Sequence, residues 1–144
     1  TLVADNAIAV QSNVGVNSEN DLTLNAGAIG VIGAVLLQAG GGSIILETPQ
    51  TPGNGVTVSL GQVDTSPLLG STNASGNVQI TTHDLEVVNT GIILASTFGA
   101  GDAGQVQIDA TGDVLVTTGS AIASAVSTGA TGDSGGIVLS TNNI

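Results

Sequence analysis

Three five-residue phrases constrain this chain more than anything else in it: Gly76-Asn77-Val78-Gln79-Ile80, Gly104-Gln105-Val106-Gln107-Ile108 and Gly135-Gly136-Ile137-Val138-Leu139. Each opens on glycine and sets two branched aliphatic residues two apart, the spacing of neighbours on one face of a strand. Ser43-Ile44-Ile45-Leu46 and Asn13-Val14-Gly15-Val16 fall into the same column. The first apolar positions are then 14, 44, 78, 106 and 137, at intervals of 30, 34, 28 and 31 residues. A second column follows in Asp21-Leu22-Thr23-Leu24, Gly55-Val56-Thr57-Val58, Asp84-Leu85-Glu86-Val87 and Asp113-Val114-Leu115-Val116, with a glycine shortly after each at Gly27, Gly61, Gly91 and Gly119. A looser third column aligns Gly91-Ile92-Ile93-Leu94-Ala95-Ser96 with Gly119-Ser120-Ala121-Ile122-Ala123-Ser124.

Each unit thus holds about three short strands joined by Gly, Asn, Asp, Ser and Thr turns, and no helical period is sustained. A strand this short cannot bury its apolar side alone, but stacking the same strand from successive units builds a continuous core along an axis. Elastic spacing puts insertions into turns and leaves the inward columns aligned. The pattern predicts an all-β chain: a right-handed parallel β-helix, or solenoid, of four to five coils of about 31 residues, three strands per coil, rising ~4.8 Å per coil. Residues 1–144 read as one such segment, either an internal fragment of a longer exoprotein or a filament protomer. A β-sandwich also uses short strands and glycine-rich turns, but has no reason to repeat one phrase order at this period.

Composition narrows the function classes. Among 144 residues there are 11 acidic side chains, one histidine and no Lys or Arg, for a net charge of −11. A chain with no cationic side chain has no ordinary grip on phosphate, which argues against nucleic acid and anionic membrane as partners and leaves cations as the plausible small ones. Cysteine is absent, excluding thiol chemistry and cysteine-ligated metal. Residues 26–46 are apolar but carry many glycines with Gln38 and Ser43, a poor membrane-spanning helix. The opening TLVADNAIAV lacks the basic start of a signal peptide.

The phrases ASTFGAGDAGQVQIDATGDV (residues 95–114) and GSAIASAVSTGATGDSGGIVLST (residues 119–141) resemble the repeats of filamentous-haemagglutinin-like exoproteins of the two-partner-secretion type, especially cyanobacterial ones. The likeness is strong over residues 73–144 and rests on column pattern before that. The resemblance implies a right-handed β-helix that is secreted and lives at the cell surface or in the extracellular matrix as a structural or adhesive fibre. Its partners would be copies of itself, and a carbohydrate or cell-surface receptor. The chain departs from the family in lacking the amino-terminal secretion domain and any Lys or Arg.

Candidate sites are few. Stacking would bring Asp84 beside Asp113, and Asp102 beside Asp133, as pairs of carboxylates that raise one pKa or invite calcium; the same residues also serve as ordinary turn formers. Asp109 with Asp113, or Glu86 with Asp113, could share a groove as a glycosidase pair, though there is no cationic or aromatic sugar platform beside them. His83 precedes Asp84, but neighbours in a strand face opposite ways, so it reads as a surface turn residue. Asn73-Ala74-Ser75 matches a glycosylation acceptor by chance, and Phe98 reads as a corner-filling core residue. No catalytic residue or cofactor is expected beyond the calcium alternative. Val31, Ile32, Val35, Leu36 and Leu37 are too many apolar side chains for one narrow core, so some are expected in an exposed self-association patch, or in a segment folded over the coil. Ile144 stands on an inward column, where a neighbouring copy would stack.

Overall fold

The computed structural model describes residues 1–15, 20–67 and 71–143, and these contain fifteen β-strands and no helix. Every strand-to-strand pairing is parallel. The chain visits three ladders in turn. The first holds β1 (Leu2–Val3), β4 (Leu22–Asn25), β7 (Ile44–Glu47), β10 (Val78–Thr82), the front of β13 (Val106–Val116) and β15 (Ile137–Asn143). The second holds β2 (Ala7–Val10), β5 (Ala28–Ile32), β8 (Gly55–Ser59), β11 (Asp84–Val88) and the back of β13. The third holds β3 (Val14–Gly15), β6 (Leu36–Gln38), β9 (Gln62–Asp64), β12 (Ile92–Leu94) and β14 (Ala121–Ala123). Since β13 crosses one corner unbroken, the first two ladders form a single ten-stranded sheet and the third a five-stranded one. This is a parallel β-solenoid.

The register corrects the sequence reading at the amino-terminal end. Val14 pairs with Leu37 in the third ladder, and the partner of Ile44 is Leu22. Leu22 and Leu24 therefore belong to the first ladder, and the place beside Val56 is taken by Ile29. Coil length is more elastic than an average near 31 conveys: 22 residues from Asp21 to Ser43, then 34 to Asn77 and 28 to Gln105.

The core is a set of aliphatic columns. Leu24, Leu46, Ile80 and Ile108 stack in the first ladder, Ile29, Val56, Leu85 and Val114 in the second, and Leu37, Val63 and Ile93 in the third, all buried. Burying each such side chain contributes roughly 1.5–3 kcal/mol, and branched residues fit the pleated surface with little rotamer loss. Glycine explains how closely the coils approach. A Cβ on Gly76 would run into the backbone of Gly42, one on Gly104 into Gly76, and one on Gly135 into Gly104. The glycine that opens each repeated phrase is thus a backbone-on-backbone stack that no other residue can occupy.

The structure narrows one expectation about apolar residues and corrects another. Val31 and Leu37 have 0% exposure and are core residues; the turn at Gly33 and Ala34 places them in separate strands, β5 and β6, so one narrow core holds both. Ile32, at 53%, is the exposed member of that group, while Val35 and Leu36 are half-buried. Phe98 is 40% exposed, not a core residue. Thr97 fills the inward corner beside Val126, so alternation turns Phe98 outward. No helix among the described residues is long and apolar enough to cross a membrane.

Candidate functional site

The polar chemistry of the chain sits at the corners, where each strand begins. Before the first ladder, Asp21 Oδ1 accepts the Ser43 amide at 2.8 Å, Ser43 Oγ the Asn77 amide at 3.3 Å, and Asn77 Oδ1 the Gln105 amide at 2.8 Å. At other corners Asn13 Oδ1 accepts the Leu36 amide and Asp84 Oδ1 the Asp113 amide, and earlier in the turn before the first ladder Asp102 Oδ1 accepts the Asp133 amide. Each bond runs from one coil to the next. Short Asp, Asn and Ser side chains suit this position because their oxygen reaches a backbone N–H that a turn would otherwise leave unpaired.

Asp84 stacks on Asp113, and Asp102 on Asp133, as the spacing predicts. In each pair the earlier carboxylate is already engaged by the later residue's amide. The Asp113 carboxylate in turn accepts from Asn143 Nδ2 at 3.0 Å. No group of three or more His, Asp or Glu that could hold a metal ion occurs among the described residues.

His83 is where alternation misleads. It lies in the bend between β10 and β11, not within a strand, and there consecutive side chains converge. Its Nδ1 lies 2.8 Å from Asp84 Oδ1, with the imidazole mostly buried and the carboxylate half exposed. Gly112 of the next coil closes over the pair: its amide donates to the His83 carbonyl, and a Cβ there would collide with both the imidazole and the carboxylate. The Asp113 amide, first, and the His83 hydrogen bond, second, hold the Asp84 carboxyl below its ordinary value, against a smaller opposing effect of burial.

Asp84, Glu86 and Asp113 line a concavity of ≈ 430 Å³ on the outside of the second ladder, with Leu115 and Asn143. Glu86 and Asp113, the groove pair expected from sequence, are therefore together, whereas Asp109 lies in a separate groove with Gln79 and Gln107. The sequence reading missed the hydroxyls inside the third corner. Thr65 Oγ1 bonds the Ser75 hydroxyl and the Gly76 carbonyl, and Ser124 Oγ donates to the Gly104 carbonyl while accepting the Gly135 and Gly136 amides. Ser75, the third residue of the glycosylation-like triplet, is buried in this set. The signal was present in Ser96 and Ser124, which end the two aligned third-column phrases.

Ile144 lies outside the described residues. Comparison of the chain with protein-family models, curated proteins and solved structures returns no match.

Proposed function

We propose that the chain is a non-catalytic, structural or adhesive rod segment of a secreted or cell-surface filament, of the kind its repeats resemble in filamentous-haemagglutinin-like exoproteins. The observation that supports this reading is the continuity of stacking. Inward aliphatic columns, backbone ladders and corner side chains all run from coil to coil; Lys, Arg and Cys are absent, and Asp21, Asn77, Asp84 and Asp102 are engaged in those bonds. Such a rod bears load along its axis through parallel backbone hydrogen bonds and displays its outward polar rows to a receptor or carbohydrate. Electron microscopy with fibre diffraction of the purified protein tests it. Filaments with strands across the axis at ~4.8 Å are expected; globular particles at every concentration tried would overturn it.

The concavity lined by Asp84, Glu86 and Asp113 favours a second reading, a polysaccharide-acting solenoid enzyme. Release of reducing ends from neutral or acidic glycans, abolished by Glu86→Gln, would establish that reading over the first. An acidic calcium-binding module is separated from both by thermal unfolding, which calcium would then shift upward.

A further inference from the structure

One loop of the solenoid reaches past its neighbouring coil. Residues 48–54, between β7 and β8, hold the coil that contains β13: Gln50 Nε2 donates to the Asp109 carbonyl at 3.3 Å, and Thr111 Oγ1 donates to the Gln50 carbonyl at 3.2 Å. The intervening coil, with His83 at its corner, is thereby strapped. A four-residue turn, Thr51-Pro52-Gly53-Asn54, closes the strap. The Asn54 amide donates to the Thr51 carbonyl at 3.2 Å, proline presets the second position, and Gly53 takes the third at φ 91°. The Asn54 side chain locks this turn, its Nδ2 donating to the Thr51 carbonyl at 3.0 Å and to Thr51 Oγ1 at 2.8 Å. The Asn54 carbonyl then accepts the Asp84 amide where β8 enters the second ladder.

Gly55 follows, and Asn54-Gly55 is the one Asn-Gly pair in the sequence. The fold does not demand glycine at this place. In register with Gly55 stand Ala7, Ala28 and Asp84, each with a side chain, and the φ of Gly55 lies outside the left-handed region. A Cβ on Gly55 would stand 3.2 Å from the Asp84 carbonyl oxygen, a tight contact relieved by a small shift, unlike the backbone collisions at Gly76 and Gly104. What glycine changes here is reactivity. Without a Cβ its amide nitrogen is unshielded toward the carboxamide before it, and asparagine is a thermally labile residue.

We propose that Asn54-Gly55 is a site of spontaneous covalent modification, and that the modification unlocks the strap. The Gly55 nitrogen gives up its proton and bonds to Asn54 Cγ; the Cγ–Nδ2 bond breaks, and Nδ2 leaves as ammonia with that proton. Water then adds to one carbonyl of the resulting cyclic imide and opens it, with no change of oxidation state. Opening at Cγ leaves aspartate at position 54; opening at the backbone carbonyl leaves isoaspartate. In the first product a carboxylate, which only accepts hydrogen bonds, faces the Thr51 carbonyl. In the second, the carbonyl that held the Asp84 amide leaves the main chain, and the path into β8 is one carbon longer. Both products lose the Nδ2 donor that closes the turn, and both add negative charge to a chain whose net charge is already −11.

Asn6 supplies an internal comparison. Its carbonyl accepts the Ala28 amide as that of Asn54 accepts the Asp84 amide, at the same corner of another coil, but Ala7 follows it. The full chain is incubated at neutral pH in heavy-oxygen water, digested with pepsin and read by mass spectrometry. Heavy oxygen is expected at residue 54 roughly tenfold or more faster than at residue 6, in two products of equal mass that chromatography separates. Hydrogen exchange at residues 50–54 and at the Asp84 amide should be roughly tenfold or more faster in converted molecules than in unconverted ones. Gly55→Ala should slow conversion by a similar factor with the circular dichroism of the parent, and Asn54→Gln, which must close a larger ring, should take up no label in the same time. Conversion at Asn54 no faster than at Asn6, or equally fast in either variant, would overturn the site. Conversion with unchanged exchange at residues 50–54 would overturn the unlocking. Neither result bears on the filament reading, from which this inference is independent.

Discussion

From Asp21 to Ser43 the chain closes a coil in 22 residues, whereas from Ser43 to Asn77 it takes 34, and from Asp102 to Asp133 it takes 31. The inward columns are the same in both regions. What differs most is the corner between the third ladder and the next first-ladder strand: residues 39–43 between β6 and β7, against residues 65–77, 95–105 and 124–136 in the later coils; the 34-residue coil is also longer at residues 48–54, between β7 and β8, where the short coil has only residues 26–27. The short corner needs almost no interior polar support. The long corners enclose Thr65, Ser66, Ser75, Ser96 and Thr97, all buried, and the hydroxyls of Thr65, Ser66, Ser75 and Thr97 replace strand hydrogen bonds that an irregular turn cannot make, Ser66 Oγ accepting the Ser96 amide. A solenoid of this kind therefore keeps its core fixed and varies its corners, the one before the first ladder most of all, so length can change without a change in stacking.

The largest effects should ignore the difference between the regions. Leu37 in a short coil and Ile93 in a long one are both fully buried in the third ladder. Leu37→Ala and Ile93→Ala are each expected to cost about 3 kcal/mol, within the usual span for core truncation, and to agree to within about 1 kcal/mol in urea unfolding. A much smaller loss at Leu37 would mean that the short coils are not part of the same cooperative core.

Glycine substitutions should separate stacked positions from open ones, and each region holds both: Gly42 in the short corner lies against the Asn20 backbone, while Gly129 and Gly136 in a long corner have open space. Gly104 lies against the backbone of Gly76, while a Cβ on Gly40, in the short corner, meets nothing within 4 Å. Gly104→Ala should cost about 3 kcal/mol, because backbone cannot move aside as a side chain can; Gly40→Ala should stay within about 0.5 kcal/mol. Equal effects would show that close coil contact is not what fixes the repeated glycine. Hydroxyl removal gives a smaller contrast. Ser124 makes three hydrogen bonds in a long corner and Ser43 accepts one at 3.3 Å beside a short one. Ser124→Ala should cost about 1 kcal/mol and Ser43→Ala roughly half of that or less, again by urea unfolding.

The later coils were legible in the sequence because their phrases repeat in one order: glycine, a branched pair, then Asp before a second branched pair. The same logic misplaced the first coils. Asp21-Leu22-Thr23-Leu24 has the wording of Asp84-Leu85-Glu86-Val87 but sits at a different corner. The physical reason is that Asp does one job at both corners, accepting an amide of the next coil: Ser43 for Asp21 and Asp113 for Asp84. Local chemistry identifies a corner without saying which one, and only the chain length around a coil distinguishes them. The stacking of Asp84 on Asp113 and Asp102 on Asp133 was readable from spacing. The meeting of His83 with Asp84 was not, because strand alternation stops at a bend and the sequence does not mark where the bend falls.

The smallest expected effect is the dependence of the later coils on acid. Asp84 titrates below its ordinary value of 3.8 in the folded chain, chiefly through the Asp113 amide and then through His83. A folded-state value below the unfolded one means that the unfolded chain takes up the proton first, so stability rises with pH through this range. The contribution is fully present above pH 3.8 and is lost as pH falls through the lower folded-state value. Asp84→Asn keeps an oxygen acceptor for the Asp113 amide but cannot titrate. The urea midpoint of the parent should therefore fall more steeply than that of Asp84→Asn as pH is lowered from 5 toward 2, with the half-exposed carboxylate limiting the difference. Parallel pH profiles would mean that the Asp84 charge adds nothing to the corner beyond its oxygen, making this long-coil cap equivalent to the neutral Asn77 cap one corner away.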